Sequence, residues 1–255
     1  MRLHPLMKPI FLPMVVKRIN LWSSPRNIST ALMYAFAQRA DTTVVDEPLY
    51  AHYLTKTDSE ALHPGRKAIL NSQFQDGERV VKEVLMGDYP TPIAVFKQMT
   101  HHLIHLDHAF LSKMSNVLLI RDPRAIINSY AKVVPNVAIH DIGVVKQREL
   151  YEELKKRGTL SAILDAKELL LHPEKVLQQL CEQLAIPWTK TMLRWEAGAR
   201  PEDGVWAPYW YDNVHRSTGF RKYKARDIHL PPHLEELAVQ CLPYYEALYR
   251  EAIKA

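Results

Sequence analysis

The chain has 255 residues, 47% hydrophobic and 24% charged, a balance that excludes a disordered chain and fits one α/β domain with a single core. Its net charge of +5 points to an anionic partner. The basic residues are spread along the chain with no basic helix carrying interleaved aromatics and no zinc-finger spacing, so nucleic-acid binding is not expected. In chain order, Pro5, Pro9 and Pro13 interrupt residues 1–14, which read as an extended tail ahead of one domain over 15–255, with Met14 an alternative start to Met1. No run approaches the roughly 18 apolar residues that span a bilayer, so no membrane segment is expected. Cys181 and Cys241 lie in amphipathic helical patterns and read as buried thiols in a reducing, cytoplasmic compartment.

Ile19–Trp22 reads as the first buried strand. Ile28, Leu32 and Phe36 then fall four apart on one helical face, so Asn27–Arg39 reads as a crossover helix leading to a second strand at Thr43–Asp46. Further strands are expected at Ile93–Met99, Val117–Ile120 and Leu160–Asp165, with helices after Asp122, over Pro173–Leu184 and over Pro232–Ile253. In the last helix Leu234, Leu237, Cys241, Tyr245, Leu248 and Tyr249 make one stripe. This alternation predicts an α/β fold with a mostly parallel central sheet. Helical patterns at Asp58–Gln75 and Asp141–Arg157 fall outside it and read as insertions capping the ligand edge of the sheet.

Two strand ends carry anion chemistry. In Leu21-Trp22-Ser23-Ser24-Pro25-Arg26-Asn27-Ile28-Ser29-Thr30 a strand enters a small polar turn and then a helix. Unpaired N–H groups at the helix start, the helix dipole, Arg26 and the hydroxyls all favour a phosphate there. The turn has no glycine and no Walker pattern; if it needs a positive φ, Asn27 is the residue best able to supply it. A cap at Ser24 or Asn27 beside a solvated Arg26 is the alternative reading. In Leu118-Leu119-Ile120-Arg121-Asp122-Pro123-Arg124 a strand ends at Arg121, Asp122 is placed to cap the next helix and Pro123 suits its first position. Arg121 and Ser129 can then face one crevice above the sheet and share one phosphate, unless Arg121 pairs with a carboxylate and Ser129 packs.

These segments resemble the 5′-phosphosulfate and 3′-phosphate loops of the P-loop sulfotransferase family, which uses 3′-phosphoadenosine 5′-phosphosulfate as donor. Arg121, Pro123 and Ser129 reproduce that family's spacing of the second loop. Leu164–Leu169, His172–Leu177 and Ile186-Pro187 resemble the strand, acidic segment and Pro-led helix that follow. His215–Lys222, with Arg216, Ser217, Thr218 and Gly219, resembles the basic loop over the 3′-phosphate and adenine. More closely, the chain resembles bacterial sulfotransferase-like proteins whose plant relatives carry a branched-chain aminotransferase-like label. The resemblance implies a three-layer P-loop NTPase-like fold with helical insertions, and a sulfotransferase acting on a hydroxyl or amine of a small-molecule or carbohydrate acceptor. It also implies donor contacts from Ser24, Arg26, Asn27, Ile28, Ser29, Thr30, Arg121, Ser129 and Arg216–Gly219, and release of 3′-phosphoadenosine 5′-phosphate. A non-catalytic nucleotide-binding module and a small-molecule kinase are the competing classes, and a homo-oligomer stays open.

Sulfuryl transfer needs cationic groups on the reacting oxygens and a base for the acceptor proton, and no metal. Lys97, late in Val95-Phe96-Lys97, resembles the family lysine that reaches those oxygens. Glu47, after the second strand, resembles the catalytic glutamate of some carbohydrate sulfotransferases, and His101, after the lysine-bearing strand, is the rival base. His101, His102, His105 and His108 invite a metal reading, since His101, His105 and His108 share a helical face, yet no carboxylate or Cys completes a ligand set, so no metal is expected. Trp206-Ala207-Pro208-Tyr209-Trp210-Tyr211 reads either as an acceptor wall or as a lid packed on the core.

Overall fold

The computed structural model describes residues 15–57, 63–132, 136–225 and 227–255. The expected tail over 1–14 and the first part of the expected helix over Asp58–Gln75 lie outside these.

Five strands, β1 (Lys17–Ser23), β2 (Thr42–Asp46), β3 (Ile93–Met99), β4 (Ser115–Ile120) and β5 (Leu160–Asp165), pair in parallel in the order β2-β3-β1-β4-β5. All pairs are parallel, because each strand returns through a helix or a long connection. The helices in chain order are α1 (Ser29–Ala37), α2 (Tyr50–Thr55), α3 (Arg66–Ser72), α4 (Gly77–Val80), α5 (Pro123–Tyr130), α6 (Ile139–Ile142), α7 (Val144–Arg157), α8 (Ala166–Leu171), α9 (Pro173–Gln183), α10 (Ala207–Trp210), α11 (Asp212–His215) and α12 (Pro232–Tyr249).

Both faces of the sheet are covered, and the strand period of two distributes the apolar residues between them. Ile19, Leu21, Val95, Val117, Leu119 and Leu164 face a layer formed by α1 and α9. Trp22, Ala94, Phe96, Leu118, Ile120 and Ile163 face a second layer that includes Leu150, Tyr151 and Leu154 of α7 and Leu248 of α12. This is the three-layer α/β fold expected. At about 1.5–3 kcal/mol for each fully buried large apolar side chain, these two interfaces dominate the stability of the domain.

Three expectations change. The crossover helix starts at Ser29 rather than Asn27, because Asn27 and Ile28 belong to the turn. The helix over Asp141–Arg157 is broken at Gly143, whose φ of +75° suits glycine, and a Cβ there would lie 3.2 Å from Ser24 Cβ. The longer product, α7, packs on the sheet face and is no capping insertion, whereas α3 does sit at the ligand end, its Ile69 packing with Tyr50, Leu54, Trp206 and Tyr211. The histidine stretch is not one helix: Thr100–His102 and His108–Lys113 are separate 3₁₀ turns, and His105 between them has a positive φ.

Among the described residues no helix is long and apolar enough to cross a membrane. Behind the strands, Asn116 Oδ1 accepts from Asn20 Nδ2 and Trp22 Nε1, each at 3.0 Å, while its amide donates to Leu111 and Met114 carbonyls at 3.0 Å. All three side chains are fully buried. Asn116→Ala should cost about 3 kcal/mol, because it leaves the Trp22 donor buried without an acceptor; a urea-unfolding loss below about 1 kcal/mol would show the network to be dispensable.

Candidate functional site

A cleft of about 1530 Å³ opens at the carboxyl ends of the strands, where parallel α/β sheets bind ligands. Typical small-molecule pockets hold roughly 300–1,000 Å³, so there is room for two reactants. The turn after β1, Glu47 after β2, Lys97 and Met99 of β3, Arg121 after β4 and Lys167 after β5 all line it. Arg124, Lys132, Arg221, Lys222 and Lys224 add positive charge to the walls, which is where the chain's excess charge converges.

The anion turn and the second segment are fastened to each other. Arg26 Nε donates to Ser129 Oγ at 3.0 Å, and the Arg121 guanidinium donates back to the Arg26 carbonyl. Asn27 holds the turn from below: its Nδ2 donates to the Leu119 carbonyl of β4 at 3.0 Å and its Oδ1 accepts from Ile28 N at 2.8 Å. No side chain caps the start of α1, so its first amides remain available to a ligand. At α5 the Asp122 carboxylate accepts from Arg124 N and occupies that helix start. Any anion there depends on Arg121 and Ser129 instead.

The left-handed residue of the turn is Arg26, with φ +57°, and not Asn27. Asn27 is committed to its two hydrogen bonds and leaves the conformation to its neighbour. A non-glycine residue pays about 1–2 kcal/mol for this backbone, and such outliers gather at functional sites. Glu47 is a second case, with φ +39° although Pro48 follows it. Its backbone is held on both sides, Glu47 N donating to the Lys97 carbonyl at 2.8 Å and its carbonyl accepting from Tyr50 N and Gln73 Nε2, each at 3.0 Å.

Register places the chemistry of β2 beside that of β3. Asp46 pairs with Lys97, so both side chains leave the same face of neighbouring strands. Lys97 Nζ donates to Asp46 Oδ1 at 2.9 Å, to Tyr211 OH at 2.8 Å and to Glu47 Oε1. Lys97 is 1% exposed, and Asp46 and Glu47 are each 5% exposed. Burial alone would lower the Lys97 ammonium, but Asp46 and Glu47 outweigh it and raise Lys97 well above its ordinary value. Burial raises the Glu47 carboxyl; Lys97 opposes the rise and Asp46 adds to it.

An aromatic wall adjoins this cluster. His102 stacks between Tyr50 and Tyr53, at 4.7 Å from each ring, with its Nδ1 3.9 Å from Glu47 Oε2. His101 packs edge-on against Tyr53 and His102, and Tyr50 OH meets His63 Nδ1 at 2.8 Å. Burial pushes His101 down to about 3, and burial with Arg66 pushes His63 down to about 4. These rings are neutral at working pH.

Of the sequence-derived residues, Arg26, Asn27, Ile28, Ser29, Thr30, Glu47, Lys97, His101, Arg121, Ser129, Ser217 and Gly219 line the cleft together. Ser24, Arg216 and Thr218 do not. Ser24 is fully buried under Gly143, Arg216 is exposed and paired with Asp212, and Thr218 is exposed with its carbonyl accepting from Trp195 N. Ser217 hydroxyl bonds Trp195 Nε1 and the Val214 carbonyl. Gly219 lies against the Leu193 carbonyl, 2.8 Å from where a Cβ would sit. Trp206 and Tyr211 are both wall and packing, since they line the cleft and are 2% and 5% exposed. Sequence reasoning did not single out Asp46, Tyr50, His63 or the Tyr211 hydroxyl, and named His102 only among metal candidates; the adjacent acids Asp46-Glu47 at a strand end were the available signal.

A three-layer parallel sheet whose carboxyl strand ends open into a cleft with an uncapped helix start and convergent arginines defines an α/β protein of the P-loop-like class. The model of the sulfotransferase domain matches residues 17–252, and the chain belongs to the sulfotransferase family. It is 40% identical over 231 residues, 90% of its length, to branched-chain-amino-acid aminotransferase-like protein 2 of Arabidopsis thaliana. It spans 41% of the length of that relative. Its fold is similar to the sulfotransferase domain from the curacin biosynthetic pathway, with TM-score 0.55 and 16% identity over 90% of this chain and 97% of that one. It is also similar to a mouse sulfotransferase complexed with PAP, with TM-score 0.56 and 13% identity over 92% and 89%.

The left-handed backbone at Arg26 reverses the usual order of two substitutions. Arg26→Gly should be more stable than Arg26→Ala by about 1 kcal/mol in thermal unfolding, because both lose the Ser129 bond and only glycine relieves the backbone. The opposite order would place Arg26 in an ordinary conformation.

Proposed function

We propose that residues 15–255 form one domain that transfers a sulfuryl group from 3′-phosphoadenosine 5′-phosphosulfate to an uncharged hydroxyl-bearing small molecule or sugar. The observation that carries the reading is the interlock of two anion-seeking segments, Arg26 with Ser129 and Arg121 with the Arg26 carbonyl. A nucleotide phosphorylated at two positions matches that spacing of charge over two strand ends, and the open amides of α1 fit its 5′ end.

In this reading Arg26 and the first amides of α1 hold the 5′-phosphosulfate. Arg121 and Ser129, with the Ser217–Gly219 segment and the basic wall, hold the 3′-phosphate. When bound, the donor supplies a sulfuryl group on a phosphate leaving group, so the acceptor O–S bond forms as the S–O bond to that phosphate breaks. Lys97 supplies positive charge beside the reacting oxygens, which stabilises charge developing in a water-poor site. Glu47 takes the acceptor proton. Its raised carboxyl is nearer to working pH than an ordinary one, whereas His101, pushed down to about 3, binds a proton too weakly to compete. The rings of Tyr50, His63, His101 and Trp210 on the wall suit an uncharged acceptor face.

Calorimetric titration should show 3′-phosphoadenosine 5′-phosphate binding at least tenfold more tightly than ATP; preference for ATP would overturn the sulfotransferase reading in favour of a kinase.

The pH dependence of kcat/KM separates the two bases. A base works deprotonated, so activity falls as pH drops through its pKa. With Glu47 the acidic limb should lie above the ordinary carboxylate value of about 4.3, and Glu47→Gln should lower kcat by about 10²–10⁴-fold. A limb near 3 that survives Glu47→Gln would assign the role to His101.

A further inference from the structure

Lys97 has three N–H groups, and all three are used: Asp46 Oδ1, Tyr211 OH and Glu47 Oε1. Tyr211 is equally saturated. Its hydroxyl donates to Asp46 Oδ2 at 2.7 Å and accepts from Lys97 Nζ and, at 3.0 Å, from Trp206 Nε1. Asp46 is closed by Gly204 N, which donates to Oδ2 at 3.1 Å. Asp46 and Tyr211 therefore bind each other as well as the ammonium, and form a rigid seat with two of its three contacts. Glu47 differs. It lines the cleft on a strained backbone, and only its carboxylate end touches the lysine.

From this geometry we infer that Tyr211 is a positioning residue for Lys97. With Asp46 it fixes the ammonium so that the third N–H, the one donated to Glu47, points where a reacting oxygen is to be stabilised. The inference rests on the sulfotransferase reading above. An anionic oxygen entering the cleft takes over that N–H from Glu47, and the exchange leaves the Glu47 carboxylate to accept the acceptor proton. The seat stays fixed through the exchange, because Asp46 and the Tyr211 hydroxyl are also held by each other, by Gly204 N and by Trp206 Nε1. Tyr211 sits on the short segment between α10 and α11, far along the chain from β3, and its ring also lies 5.2 Å from Lys97 Nζ. The aromatic wall is thereby tied to the position of the cation.

The test is a double-mutant cycle with a binding readout beside turnover. Tyr211→Phe keeps the ring and removes the hydroxyl. The expected result is a fall in kcat of about 10–100-fold, the scale of a misplaced catalytic group, with KM for the acceptor and the calorimetric Kd for 3′-phosphoadenosine 5′-phosphate each within about twofold of wild type. In the Lys97→Met background the same change should alter kcat less than about twofold, because a residue acting through Lys97 has nothing left to position. If Lys97→Met does not fold, Asp46→Asn takes its place, and Tyr211→Phe should again be strongly non-additive. The Trp206 indole N–H resonance, which loses its acceptor, should shift in Tyr211→Phe. An equal fall in both backgrounds, or a raised acceptor KM with kcat unchanged, would reduce Tyr211 to a wall residue and overturn the inference. Wild-type protein that fails to bind 3′-phosphoadenosine 5′-phosphate would instead overturn the underlying reading, so the two failures are distinguishable.

Discussion

A single buried ammonium organises the functional end of this molecule. A charge as enclosed as that of Lys97 costs several kcal/mol unless it is compensated, and β2 supplies the compensation through its register with β3. Two carboxylates and a phenol converge on Nζ, which fixes the ends of two strands and the segment around Tyr211 in one arrangement. Glu47 is held past the end of β2 with a positive φ, and the backbone bonds from Gln73 and Tyr50 absorb that strain. The aromatic wall packs where it does because Tyr211 and Trp206 are hydrogen-bonded into the same cluster.

The second constraint is an anion turn built without glycine. Where a glycine would give backbone freedom at no steric cost, this chain uses Arg26 in a left-handed conformation and stabilises it from three directions. Ser129 holds the side chain, Arg121 holds the carbonyl and Asn27 ties the following residue to β4. Gly143 closes over Ser24 from the opposite side. The turn is thus pre-organised by its neighbours and not by its own flexibility, and placing arginine at the strained position puts its charge at the point where the uncapped helix start is also positive.

Much of the architecture was legible because hydrophobic period and strand composition are local signals. The five strands fell at their expected positions within a residue or two, and the long helices followed from their apolar stripes. The break at Gly143 was less visible, since the apolar pattern runs on through it and only the close approach of Ser24 demands glycine there. Arg26, Arg121 and Ser129 were singled out by turn chemistry and motif spacing, and Glu47 and Lys97 by a resemblance, and all five line one cleft. Asp46 and Tyr211 could not be singled out this way: their roles exist only once β2 lies beside β3 and a segment 165 residues after Asp46 closes on both. The histidines misled for the opposite reason, as a helical face drawn through His101, His105 and His108 assumes a helix that the positive φ at His105 interrupts.

Electrostatic balance links the resting cluster to the proposed chemistry. With Asp46, Glu47 and Lys97 all ionised the cluster carries one excess negative charge, an unfavourable setting for an anionic donor. Burial and the neighbouring Asp46 raise the Glu47 carboxyl, so Glu47 is the group of the cluster suited to gain a proton during the reaction. A protonated Glu47 leaves Lys97 and Asp46 balanced and removes the repulsion. Taking the acceptor proton onto Glu47 produces that same state. The site is therefore arranged so that the proton transfer required of its base also discharges the electrostatic imbalance that two carboxylates around one ammonium create.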